Sequence, residues 1–270
     1  MTVKVATAQL ETAYFARGKN EEKVLRLVEK ALEDKVDLIL FPEGVNLGYF
    51  ILDQTRSKEE ALSLALEMAP NLSSPWVEAL RREAQKGIYI ACGSFLKIEK
   101  DRLVNALLLV SPKGDLFVYH KTHLFHVREA REEDFVVEGR ELTVVSTELA
   151  QIGLSICYDL NFPEVFRTLA LKGAQLILMS AAWPKTAGAA WDILLPARAL
   201  ENEVYVVASG QIGEEYYGHS KIIDYAGNVL TECEEEEGLR VAELDLARQE
   251  KWRRIVTYFD DRRPKLYSRE

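Results

Sequence analysis

The feature that most constrains this chain is an alternation of short, unbroken apolar runs with segments whose apolar residues fall at helical spacing. "DLILF" (37–41), "QIGLSIC" (151–157), "AQLILMS" (174–180) and "VYVVAS" (204–209) are too short for helices. Their continuous apolarity suits strands covered on both faces. Just before the first of them, "NEEKVLRLVEKALEDK" places Val24, Leu27, Val28, Ala31 and Leu32 on one helical face, with glutamates outward. "SPWVEALRREAQKG" reads as a helix with Pro75 in its first turn and Gly87 just past its end. "PEVFRTLALKG" and a stretch from Trp191 to Asn202 read as helices too, with Pro196 expected to start or kink the latter. "VKVATAQL" is a strand with Val3, Val5 and Thr7 on one face, and "IYIACGSF" is another. "SPKGD" and "AGN" are turns between apolar flanks, so each marks a hairpin. The pattern predicts one α/β domain over residues 1–270, with mixed sheets layered under helices.

Bulk properties narrow the function. A formal charge of −9 leaves no basic surplus to displace counterions from a phosphate backbone, so nucleic acid is an improbable partner. No apolar run reaches a membrane-spanning length, and "MTVKVATAQL" reads as a strand rather than a secretion signal. Three scattered cysteines do not make a disulfide framework, which places the chain in a reducing cytoplasm. Cys92 reads as a core thiol, and Cys233, beside "EEEEG", as exposed.

Three reactive residues stand just past the ends of apolar strands. Glu43 follows "DLILFP", Lys121 follows "LFVYH" and Cys157 follows "IGLSI". Strand ends and their loops are where an α/β scaffold meets its ligands. A thiol needs a base to become a nucleophile, a carboxylate can take that proton and later activate water, and an ammonium can stabilise an oxyanion. Together they describe acyl transfer through a thioester. Each also has a plainer reading: a buried cysteine as a small hydrophobe, a glutamate as an ion-pair partner, a lysine as a solvated strand end.

The motifs "DLILFPEG", "YHKTHLF" and "SICYDLNFPE", in that order, resemble the nitrilase superfamily, the carbon–nitrogen hydrolases. "VATAQL", "RALEN", "GHSKIIDYAGNVL" and "RRPKLY" extend the likeness nearly end to end. The resemblance implies a four-layer α-β-β-α sandwich and subunits paired as a homodimer or higher homo-oligomer. It makes Cys157 the nucleophile on a strand-to-helix elbow, Glu43 the general base and acid, and Lys121 with the Tyr158 backbone N–H the oxyanion holders. A second glutamate supports the lysine in many members. Counting back from Gly139 puts it at Glu132, with Glu133 adjacent. Tyr158 and Asp159 resemble amide-cleaving branches rather than nitrile-cleaving ones, and the segment from Ser180 to Asn202 resembles ω-amidase-like members. The implied reaction frees ammonia from a small linear amide without a cofactor. Trp183 and Tyr49 are candidate pocket residues, with core packing as the alternative. Asn161 stands where close amidase relatives carry arginine, which weakens the case for an acidic substrate.

Other readings remain open. N-carbamoyl amide hydrolysis is one, and a catalytically silent scaffold is another. A metal site is disfavoured because His123 points opposite to His120 and His126 on a strand. A Cys–His protease lacks a recognisable histidine. Arg198, Glu201 and Asn202 are expected to brace the walls of the site.

Overall fold

Two units of strands alternating with helices, one in each half of the chain, supply the frame. The structure is a computed structural model that describes residues 2–99, 101–127 and 130–267. The first unit comprises β1 (Thr2–Gln9), α1 (Arg17–Glu33), β2 (Leu38–Leu40), α2 (Lys58–Met68), α3 (Pro75–Ala84) and β3 (Tyr89–Ile98). The hairpin β4 (Arg102–Val110) and β5 (Leu116–His120) extends it, followed by the small pair β6 (His126–Val127) and β7 (Ala130–Arg131). The second unit comprises β8 (Val144–Ser146), β9 (Gln151–Ile156), α4 (Pro163–Leu171), β10 (Leu176–Ala181), α5 (Gly188–Asn202) and β11 (Tyr205–Gly210). It continues through β12 (Lys221–Ile223), β13 (Val229–Glu232), β14 (Gly238–Asp245) and α6 (Leu246–Ile255).

One sheet has the order β14-β1-β2-β3-β4-β5 and the other β13-β12-β11-β10-β9-β8. Each has three parallel strands at its centre, β1 to β3 in one and β9 to β11 in the other, with antiparallel neighbours outside. Val24, Val28, Trp76 and Leu80 of α1 and α3 pack on Ala6, Ile39, Ile90 and Cys92 of the first sheet. Phe166, Leu169, Trp191 and Leu195 of α4 and α5 pack with the second. The inner faces meet directly: the Thr7 hydroxyl donates to the Ala208 carbonyl at 2.7 Å, and the Ser180 hydroxyl to the Phe41 carbonyl at 3.0 Å. The result is the expected α-β-β-α sandwich.

The sheets approach so closely at one point that only glycine fits. A Cβ on Gly93 would stand 2.5 Å from the Pro42 carbonyl oxygen, 2.5 Å from Ser180 Oγ and 2.6 Å from Glu43 Cα.

Several details depart from the sequence reading. Pro196 does not start α5 but lies inside it, the position at which a proline kinks rather than opens a helix. The lost backbone hydrogen bond is outweighed by the apolar face that Trp191, Leu195 and Ala199 bury together. Cys233 is buried at 1% exposure rather than exposed, because its N–H donates to the Ser220 carbonyl at 2.7 Å and draws the residue inward. The helix α2 was not foreseen, although a reciprocal cap starts it: Glu60 N–H donates to Ser57 Oγ at 3.2 Å and Ser57 N–H to Glu60 Oε2 at 2.9 Å.

Candidate active site

Glu43, Lys121 and Cys157 each follow a strand end, at β2, β5 and β9; Lys121 Nζ meets Glu43 Oε1 at 2.8 Å, and the Cys157 thiol feels the charges of both and hydrogen-bonds with the Glu43 side chain. Hydrogen bonds fix Glu43 from both sheets. Phe41 N–H donates to the Ala91 carbonyl at 2.8 Å, Val45 N–H to Gly93 at 2.9 Å, and the Gln211 side chain to the Glu43 carbonyl itself at 2.6 Å. The carboxylate is fully buried. Its Oε1 accepts from Lys121 Nζ at 2.8 Å and Asn105 Nδ2 at 2.7 Å, and its Oε2 from the Ala182 N–H at 2.8 Å.

Lys121 is equally buried and donates also to Glu132 Oε2 at 2.7 Å. Glu132 takes two further donors, Asn105 Nδ2 at 2.7 Å and the Phe125 N–H at 2.7 Å. The neighbouring Glu133 turns outward to Arg131 at 2.7 Å. Two carboxylates therefore flank one ammonium. Burial pulls the Lys121 pKa down, but the charges of Glu132 and Glu43 outweigh it, so the net shift is upward and the ammonium persists. Burial raises the Glu132 pKa against the pull of Lys121.

Cys157 sits on a strained elbow. Its φ is +43°, left-handed backbone that a side chain enters at a cost, between β9 and a 3₁₀ turn over Cys157–Asn161. Arg198 holds that turn by donating to the Leu160 carbonyl at 3.1 and 3.2 Å. Burial pushes the thiol well above its ordinary pKa and the Glu43 charge adds to this, while Lys121 and the Ala182 N–H oppose it. The resting sulfur is thus a thiol, with a carboxylate acting on it.

Two residues that the sequence reading did not assign complete the frame. Asn105 bridges both glutamates through one nitrogen; a lone polar residue inside the apolar run "RLVNALLLV" was its signal, since a buried amide needs partners. Asp159 is buried and accepts from Ile156 N–H at 2.9 Å, Tyr119 OH at 2.7 Å, Thr122 Oγ1 at 3.2 Å and His123 N–H at 3.3 Å. His123 Nδ1 also lies 2.8 Å from it. Asp159 thereby ties the elbow of Cys157 to the loop that carries Lys121. Of the other two histidines in this stretch, His126 is exposed and His120 half-buried.

A cavity of about 170 Å³ opens onto Cys157. Tyr49, Tyr158 and Trp183 line it together with Phe125 and Asn161. Tyr49 and Trp183 also belong to apolar clusters, so each is both wall and core. Trp183 Nε1 donates to the Ala187 carbonyl at 2.8 Å, whereas the buried Tyr49 hydroxyl has no partner among the described residues.

The family model described as carbon-nitrogen hydrolase matches residues 4–254. The chain is a carbon–nitrogen hydrolase. Among similar proteins, the deaminated glutathione amidase of Rattus norvegicus is 33% identical over 98% of this hydrolase and 83% of the relative. A protein named nitrilase from Pyrococcus abyssi is 32% identical over 99% of this chain and 100% of its own. The 2-oxoglutaramate amidase of Bacillus subtilis is 30% identical over 97% and 98% of the two chains. Among solved structures, a mutant amidase from Nesterenkonia sp. AN1 superposes with a TM-score of 0.82 at 25% identity, covering 98% of each chain. In it acrylamide has added to the active-site cysteine. The hydrolase thus shares its fold with an enzyme whose cysteine forms carbon–sulfur bonds.

Proposed function

We propose that the protein hydrolyses a small linear amide to a carboxylic acid and ammonia through a thioester on Cys157. The convergence of Glu43, Lys121 and Cys157 on one buried centre carries the reading. Glu43 takes the thiol proton as sulfur attacks the carbonyl carbon. Lys121 and the Tyr158 N–H stabilise the resulting oxyanion. As the C–N bond breaks, Glu43 returns the proton to the leaving nitrogen and ammonia departs. Water, activated by Glu43, then adds to the thioester and restores the thiol. Glu132 holds Lys121 in place, and Tyr49, Tyr158 and Trp183 form the substrate walls. The Tyr49 hydroxyl is a ready partner for the carboxamide, because burying it unpaired is costly.

The names of the rat and Bacillus relatives favour amides, and the Tyr158–Asp159 pair argues the same way against nitriles. We read residues 1–270 as one catalytic domain working as a homodimer or higher homo-oligomer. The three free thiols suit a reducing cytoplasm.

Assaying ammonia across a panel of amides tests the reaction. Release is expected from the wild type and none from Cys157→Ala, with an acid-quenched acyl adduct on Cys157 by mass spectrometry. Silence across every amide would overturn the proposal.

A further inference from the structure

The cavity beside Cys157 has a composition that the reaction alone does not require. Its walls are mostly carbon, from Leu52, Phe125, Trp183, Ala187 and Ala190 and the ring of Tyr158; its neutral polar side-chain groups include the Tyr49 hydroxyl, which the amide group itself can use, and the Asn161 amide. The hydrogen bonds of Lys121 Nζ run to Glu43 and Glu132, so its charge is already matched. Asn161 turns its amide nitrogen back to the Tyr158 carbonyl at 3.3 Å. Among the described residues lining the cavity, none is lysine or arginine. Its volume, about 170 Å³, also sets a size. An apolar cavity of about 150 Å³ holds one benzene molecule, so the space accepts on the order of six carbons.

From this lining we infer that the amide substrate carries a short, uncharged, apolar acyl group rather than a carboxylate-bearing one. The inference rests on the amide-hydrolase reading and narrows it. A carboxylate at the far end of the acyl chain would leave water for aromatic and alanine carbon. Each methylene placed there gains from leaving water.

Matched pairs of primary amides test the inference through kcat/KM for ammonia release. Butyramide is set against succinamate and valeramide against glutaramate, with a straight-chain series from acetamide to octanamide. The uncharged partner should win each pair by roughly a hundredfold. Along the series kcat/KM should rise about threefold to fourfold per methylene and fall once the chain exceeds about six carbons. Ala190→Leu should move that maximum to a shorter chain. Equal or better turnover of the carboxylated partners would overturn the inference while leaving the hydrolase reading intact. A series without a length maximum would overturn it as well. If no amide is cleaved, the hydrolase reading fails and the inference falls with it.

Discussion

Cys157 was conspicuous in the sequence because an apolar strand ended on it and a proline opened the next helix. Its backbone strain was not legible, since φ depends on what the turn must join. At +43°, the residue occupies a region that glycine enters freely and alanine does not. Cys157→Gly is therefore expected to be more stable than Cys157→Ala by about 1 kcal/mol in urea denaturation, though both lack the proposed nucleophile. Equal stability would mean that the elbow carries no strain. Asn105 and Asp159 stayed hidden for a related reason. Their importance lies in partners far away in sequence: Asn105 serves Glu43 and Glu132, and Asp159 reaches back to Tyr119 and Thr122.

The strands carrying Glu43, Lys121 and Cys157 were legible as elements, as were α1, α3, α4 and both hairpins, because unbroken apolarity and helical periodicity are local signals. The helix α2 and the last strand and helix were not. The alanines of α2 present a weak stripe, although its Ser57–Glu60 cap stood in plain view. At this scale Asp159 acts as a clamp between two elements, the end of β9 and the loop after β5. Asp159→Asn turns a donor toward donors on one side. It is expected to lower kcat at least tenfold with little change in KM and to slow alkylation of Cys157 by iodoacetamide. An unchanged kcat would show that the two elements hold their places without it.

The order of strands in the two sheets could not be read in advance, because packing between distant segments decides it. Long-range packing also shapes the response to pH. Burial holds the His120 pKa below its ordinary value, so the unfolded chain gains this proton more readily than the folded one. Stability should therefore decline as pH falls below about 6.5, the value of an unfolded histidine, and this loss should level off beneath the folded pKa. Denaturation of the wild type and His120→Gln at pH 7.5 and 5.0 checks the sign. Acid should cost the wild type more than the variant, and a gap that does not move with pH would refute it. The contact at Gly93 has a wider consequence. The carbonyl of Pro42 and the backbone of Glu43 rest against a position with no side chain, and Ser180 of the opposite sheet closes on the same spot. The location of the proposed general base is thus an outcome of how tightly two slabs are stacked. Any replacement that swells the interior between them, even one distant from the sulfur, should dull turnover before it loosens the protein.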